Sequence, residues 1–218
     1  MPSDNLTPWH DTPPTPERVV TVLSRIASVM RGNAWRSATA AGLTPTQADL
    51  LALLAARPPG VRLAWLAEQM CISSATASDA VSALVAKGWA HKARAADDAR
   101  ALSLSLTRSG RALARRLGAS CGVVESAAAA LPTQAQEQLL SGLLELVGEL
   151  QRAESFPELR TCVTCEHFEP HRHADAKAPH HCHLVGASLP ASLLRVDCPE
   201  HVPVAAMLRP ARWQALRA

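Results

Sequence analysis

Four of the chain's six cysteines and seven of its nine histidines lie between Cys162 and His201, and this crowding constrains the fold more than any other feature. The segment around them is poor in apolar residues, so it cannot build a sizeable core alone and needs a staple. Cys162-Val163-Thr164-Cys165 is a C-x2-C pair, Cys182 sits within His180-His181-Cys182-His183, and Cys198 opens Cys198-Pro199-Glu200-His201. A C-x2-C pair sets two sulfurs on one turn, where backbone amides stabilise thiolates, and two later cysteines complete a tetrahedral set. Cys162, Cys165, Cys182 and Cys198 are therefore candidate ligands of a metal centre. Zinc is the first choice, and a [4Fe-4S] cluster takes the same four ligands while adding redox sensitivity. His180, His181, His183 and His201 are close enough in sequence to replace a cysteine, and imidazole suits zinc better than a cubane cluster. His167, His171 and His173 read as a solvated loop.

The rest of the chain has ordinary globular composition, with 48% apolar and 19% charged residues among 218. Aromatics are only 3% and tyrosine is absent, so the core must be built from Ala, Leu and other aliphatic residues, which favours helices. No run of 18 apolar residues occurs, and residues 1–16 are rich in Pro, Thr and Asp instead of basic and then apolar. A cytoplasmic chain with no membrane partner is expected. In that reducing compartment, cysteines so spaced hold metal more often than they form disulfides. Cys71 and Cys121, isolated within helical patterns, read as small core residues. The same reading places Trp35, Trp65 and Trp89 in the core and packs a short terminal helix, with Met207, Leu208 and Trp213, back on the body.

Apolar periodicity and stop signals divide the chain. Residues 1–14 read as a flexible leader. Thr15-Pro16-Glu17 offers an N-cap followed by proline, and Val19, Val22, Leu23, Ile26, Val29 and Met30 then form one stripe of a helix reaching about residue 40. Gly42 ends it, and Thr44 with Gln47 has capping-box spacing for a second helix. A third helix over 63–70 and a fourth over 74–87, joined by a tight turn, have the shape of a helix-turn-helix. Ala77, Val81 and Leu84 mark the buried side of the fourth, with Ser74, Ser78 and Ser82 along another side. Residues 89–94 and 101–106 read as two strands of a hairpin beside it, a wing. A helix is expected over 107–130 and another over 133–153, the latter with a wide stripe of Leu139, Leu140, Leu143, Leu144, Leu146, Val147 and Leu150. The net charge is only +3, yet Lys87, Lys92, Arg94, Arg100, Arg108, Arg111, Arg115 and Arg116 face only Asp97 and Asp98 between positions 87 and 116.

Leu63 to Met70, Ser73 to Leu84 with Lys87-Gly88, Asp97-Asp98-Ala99-Arg100, and Leu106-Thr107-Arg108-Ser109-Gly110 in this order resemble the MarR family of bacterial winged-helix transcriptional regulators. With the flanking helices, residues 15–154 are covered, about two thirds of the chain. The resemblance implies a mainly α winged helix-turn-helix with a small β-hairpin wing, working as a homodimer interlocked through its first and last two helices. It implies a non-enzymatic regulator, most often a repressor, bound to double-stranded DNA at a near-palindromic operator and open to a small-molecule effector. Carried onto this chain, Ser73, Ser74, Thr76, Ser78, Asp79 and Ser82 would face the major groove, and Lys92, Arg94 and Arg100 would serve the wing. Two departures stand out: Asp79 and Ala83 occupy positions where basic residues are common, and Ala99 replaces one arginine of the wing tip. No nucleophile constellation accompanies Ser78 or Asp79, so a catalytic role is not expected.

Residues 155–202 then form a small irregular, metal-stapled module and residues 203–218 a tail, neither covered by that resemblance. The cysteine order, with sixteen and fifteen residues between the later members and Phe168 three after Cys165, resembles high-potential iron-sulfur proteins. Two functions follow for test: a DNA-binding regulator modulated by the cysteine centre or an effector, or a metal- and redox-handling protein that uses the winged helix as a dimerisation and protein-interaction scaffold.

Overall fold

Helix α1 (Thr15–Ala40) begins with Pro14 as its cap residue and Pro16 in its first turn. Thr15 lies inside the helix, because the two prolines hold backbone compatible with the helix start and no side-chain cap is formed. The computed structural model describes residues 12–57, 60–94, 102–118 and 122–216. The leader up to residue 11, the wing tip with Arg100, and Cys121 lie outside them.

Helix α2 (Pro45–Ala55) opens with the reciprocal capping box read from the sequence. Thr44 Oγ1 accepts from Gln47 N at 3.3 Å, and Gln47 Oε1 accepts from Thr44 N at 3.4 Å. Helix α3 (Leu63–Gln69) and helix α4 (Ser74–Ala86) follow. Between them Cys71 adopts φ 51° and is exposed, so the core role expected for it is wrong. It is the left-handed residue of the tight turn, where the chain leaves α3 and the side chain is turned outward.

Strands β1 (Ala90–Arg94) and β2 (Leu102–Leu106) pair antiparallel, Ala90 opposite Leu106 and Arg94 opposite Leu102. Val61 adds a bridge to Leu104 on the other edge, tying the α2–α3 connection to the wing. The Thr107–Gly110 motif has a local cause. Thr107 Oγ1 accepts from Gly110 N at 3.0 Å at the start of helix α5 (Arg108–Gly118), and a Cβ on Gly110 would lie 1.9 Å from the Trp89 carbonyl oxygen. The single helix expected over 107–130 is instead α5 and helix α6 (Gly122–Ala129). The core of this head is aliphatic: Leu50, Leu51, Leu54, Leu66, Val81, Leu84, Leu104 and Leu113. Trp65 and Trp89 pack partly against it, but Trp35 is 61% exposed on α1, because α1 packs on the head only near its C-terminal end, where Ala38 is its one buried residue.

Helix α7 (Thr133–Arg152) divides its wide leucine stripe between two faces. Leu139, Leu143 and Leu146 stay exposed and border a groove with Val19, Val22 and Ile26 of α1. Leu140, Leu144 and Val147 turn the other way, into a second core with Val163, Cys165, Phe168, Leu194 and Trp213. The C-terminal segment thus borrows a helix face instead of building a core alone. It holds a three-stranded antiparallel sheet ordered β3 (Phe168–Glu169), β4 (His180–Cys182), β5 (Ala187–Leu189). Helix α8 (Arg209–Ala215) follows and docks through Trp213, 4% exposed, whose Nε1 donates to Gln151 Oε1 at 3.1 Å. Met207 and Leu208, expected to pack with it, are 85% and 50% exposed, since they lie on the short turn ahead of α8, outside the reach of α7.

Two glycines permit the closest approaches. Gly110→Ala drives a methyl into a backbone carbonyl and is expected to cost about 3 kcal/mol of stability. A Cβ on Gly148 would meet the Trp213 ring at 2.8 Å, so Gly148→Ala is expected to undock α8 at a cost of about 1–3 kcal/mol, less than at Gly110 because a side chain can shift. Thermal unfolding checks both, with the Trp213 fluorescence change confined to the second variant.

Candidate nucleic-acid interface and cysteine centre

The fourth helix is held by its apolar side. Ala77, Ala80, Val81 and Leu84 are buried, which turns Ser74, Thr76, Asp79 and Ser82 to solvent, with Ser78 half-buried at the margin. Ser73 caps the helix: its Oγ accepts from Thr76 N at 3.1 Å and lies 2.8 Å from Thr76 Oγ1. Those two hydroxyls are thus already engaged locally, while Ser74 and Ser82 present theirs outward. No Lys or Arg occurs within α4.

The positive charge sits around the helix. Lys92 and Arg94 lie exposed on β1, and Arg100 belongs to the wing tip outside the described residues. Two of the basic residues in the 87–116 stretch serve the fold. Lys87 Nζ donates to the Gly42 carbonyl at 2.6 Å and lies 5.2 Å from the Trp89 ring centre, and Arg111 Nη1 donates to the Leu106 carbonyl at 2.6 Å. That leaves fewer cations open to DNA.

The four cysteines of the C-terminal segment arrive from three separate pieces of backbone geometry. Cys162 opens a 3-10 turn (Cys162–Thr164) capped by Thr161, Cys165 closes it, Cys182 ends β4 opposite Phe168, and Cys198 is placed by its N–H donating to the Arg160 carbonyl at 2.9 Å. All four are free thiols. Burial raises the Cys162 thiol above the ordinary value against a backbone hydrogen bond from Arg195, and the charges of Cys198, Cys165 and Cys182 push it further up. A bound cation would relieve that setting at Cys162. Arg195 N donates to Cys162 Sγ at 3.2 Å and Arg195 Nη1 lies 3.6 Å from Cys198 Sγ. Among the described residues no group of three or more His, Cys, Asp or Glu side chains stands in metal-holding geometry.

The histidines have other partners. His180 is 4% exposed, packs its ring 5.3 Å from Phe168 and accepts from His171 N at 3.3 Å; burial, then His171, keeps it below the usual imidazole range. His201 meets Thr164 Oγ1 at 3.2 Å. His173 Nε2 lies 3.1 Å from His181 Nδ1, and His183 Nε2 lies 2.9 Å from Glu169. Alternation along β4 sets His181, in register with Glu169, on the face opposite His180 and Cys182, the latter paired with Phe168.

A contact that spacing gave no sign of joins this module to the head. Asp197 Oδ1 accepts from Arg57 Nη1 at 2.5 Å and from Arg160 Nε at 2.8 Å, and Arg160 Nη2 donates to the Ala56 carbonyl at 3.1 Å. Burial works to raise the Asp197 carboxyl, and the hydrogen bonds from Arg160 and Arg57 outweigh it and hold it below the usual carboxylate range. A cavity of about 460 Å³ lies at the same junction, lined among others by Glu68 of α3, Gln151 of α7, His201, Arg209 and Trp213.

A sequence model of the MarR family matches residues 41–101, from the end of α1 through α4 to the wing tip. No curated protein sequence matches the chain. Among solved structures, a MarR family transcriptional regulator from Silicibacter pomeroyi is 22% identical, with 61% of this chain and 89% of that one covered at a TM-score of 0.55. FabT of Streptococcus pneumoniae in complex with DNA is 18% identical, covering 63% and 98% at 0.53. CouR of Rhodococcus jostii bound to p-coumaroyl-CoA is 18% identical, covering 64% and 93% at 0.52. Residues 41–101 thus carry the MarR family's sequence pattern, and the helical head with its wing has the fold of MarR-type winged-helix regulators.

Proposed function

We propose that the chain is a sequence-specific DNA-binding transcriptional regulator of the MarR type, acting as a homodimer, with the four C-terminal cysteines as ligands of a metal centre. The observation that carries the reading is the matched winged helix with the polar side of α4 turned outward beside Lys92 and Arg94. Ser74, Thr76, Ser78, Asp79 and Ser82, with the cap residue Ser73, would meet base edges or phosphates in the major groove, and Lys92, Arg94 and Arg100 would meet phosphates from the wing. Because α4 supplies no cation, affinity rests on the wing and on Arg108, Arg115 and Arg116 around it. The action is that of a repressor working in the cytoplasm on a near-palindromic operator. FabT, with a similar fold, was solved with DNA.

The exposed faces of α1 and α7 support the dimer. Val19, Val22, Ile26, Leu139, Leu143 and Leu146 form a continuous apolar groove, and each aliphatic side chain left in water there forfeits about 1.5–3 kcal/mol of burial energy. A second copy of the same helices covers it. CouR, again similar in fold, was solved with p-coumaroyl-CoA, and the cavity beside Glu68 and Trp213 is the place in this chain where a small-molecule effector would touch both head and module.

For the metal, four free thiols suit zinc or a [4Fe-4S] cluster, although Cys198 Sγ also lies 3.5 Å from Glu200 Oε2. Zinc would clamp the module shut, and a cluster would add a redox response. Arg195 supplies the amide to Cys162 Sγ and Val163 and Phe168 wall off the buried side.

One observation favours a second reading, a metal- or redox-handling protein that uses the winged helix as a scaffold: the outward side of α4 has no basic residue. The two readings part on the wing. If the protein regulates DNA, Lys92→Ala with Arg94→Ala weakens binding to its own promoter DNA and lowers the salt slope by about 1 for each phosphate that is no longer neutralised. Absence of salt-dependent DNA binding, with metal present and with metal stripped, would overturn the regulator. Sedimentation velocity tests the dimer, which Ile26→Glu or Leu143→Glu is expected to split into monomers. A visible spectrum and metal analysis of anaerobically purified protein separate a brown cluster from colourless zinc, and Cys162→Ser is expected to abolish either.

A further inference from the structure

Among the described residues, polar contacts join the module to the head, and the ionic one runs through a single carboxylate. Asp197 bridges Arg57, at the end of α2, and Arg160, in the connection that leads to the cysteine turn. The Arg57 guanidinium lies 4.9 Å from the ring centre of Trp65 on α3, and Gln69 at the end of α3 donates to the Glu158 carbonyl at 3.3 Å. Helix α3 packs directly on α4, so a shift of Arg57 and Trp65 reaches the DNA-facing helix through one helix-helix contact. The side chains of Arg57, Arg160 and Asp197 are 15%, 24% and 39% exposed, partly shielded from solvent and so less weakened by it than surface pairs.

Asp197 is also the residue before Cys198. From Leu194 to Val202 the chain forms no helix or strand. It is held by Cys162 N donating to the Arg195 carbonyl, Arg195 N donating to Cys162 Sγ, and Cys198 N donating to the Arg160 carbonyl. Whatever fixes the Cys162 and Cys198 sulfurs therefore fixes the Asp197 carboxylate within one peptide unit. The arm is further anchored by Leu194 in the second core and by the ion pairs of Asp197 with Arg57 and Arg160, so a change at Cys198 passes to the adjacent Asp197.

We propose that Asp197 is a positioning residue that couples the four-cysteine centre to the helix-turn-helix, so that emptying the centre loosens Arg57 and Trp65 and changes DNA affinity. The proposal rests on the reading of the four cysteines as ligands. Its elements are local: the Cys198 arm as lever, the Arg57–Asp197–Arg160 node as joint, and α3 as the element moved.

The test uses the full-length protein, loaded with Zn²⁺ or reconstituted anaerobically with Fe²⁺ and sulfide, then stripped with a chelator. Metal per chain, dissociation constant for its promoter DNA, and amide hydrogen exchange of residues 60–72 are measured in wild type, Asp197→Ala and Arg57→Leu. In wild type, stripping is expected to change DNA affinity about 10-fold, the middle of the range for coupled sites, and to speed exchange in α3. Asp197→Ala is expected to keep its metal, to exchange in α3 like stripped wild type even when loaded, and to show a loaded-to-stripped ratio near 1. Arg57→Leu, remote from the sulfurs, breaks the node from the head side and is expected to give the same ratio should Asp197→Ala disturb the centre itself. A wild-type ratio retained in both variants, or no difference in exchange on stripping wild type, overturns the proposal while leaving the cysteine reading intact. Wild type that takes up neither metal, like Cys162→Ser, overturns that reading and the proposal with it.

Discussion

The contact of Trp213 with the bare backbone at Gly148 decides how the C-terminal third of this chain exists at all. A segment with two-residue and three-residue strands cannot offset its ordering entropy from its own apolar residues. It is folded because α7 offers Leu144, Gly148 and Val147 as one wall of its core, and because Trp213 closes that core from the far end of the chain. The missing Cβ lets an indole lie flat against a helix, and the Gln151 amide oxygen satisfies its N–H. The module is consequently an appendage of α7.

That arrangement makes α7 a shared element with two obligations. Its Leu144 face is committed to the module and its Leu143 face is open toward α1. A helix with apolar residues on two sides is stable only when both are covered, so assembly of the groove and docking of the module are linked through one rigid body. The polar contacts run on a second route, from the cysteine arm through Asp197 to the end of α2.

The head was legible in the sequence wherever a local rule was strong. The Thr44 and Gln47 box, the α4 burial pattern of Ala77, Val81 and Leu84, and the Leu102–Leu104–Leu106 alternation each follow from short-range chemistry. Failures came where tertiary context decides. Cys71 looked like core because its neighbours are helical, but it occupies the left-handed turn position. Trp35 looked like core because tryptophan is usually covered, yet α1 packs on the head only near its end. In the candidate sites, the cysteine spacing pointed to a metal centre, and among the described residues no group of three or more His, Cys, Asp or Glu side chains stands in metal-holding geometry. The Asp197 node was invisible, since its partners stand 140 and 37 positions away and no periodicity records an ion pair at that separation.

Linkage fixes what such an arrangement can do. If ligation of the four thiols favours the arm position that places Asp197 between Arg57 and Arg160, then the docked head must raise the affinity of the thiols for their metal by the same factor. DNA, by selecting one disposition of α3 and α4, acts on the same equilibrium from the other end. The sign is then set by whether the docked arrangement matches the spacing that the two halves of an operator demand. In the proposed dimer a centre in the module of each subunit would feel the DNA through its own Asp197, and if α7 carries the dimer face, the two centres would report on a single symmetric state instead of acting as independent switches.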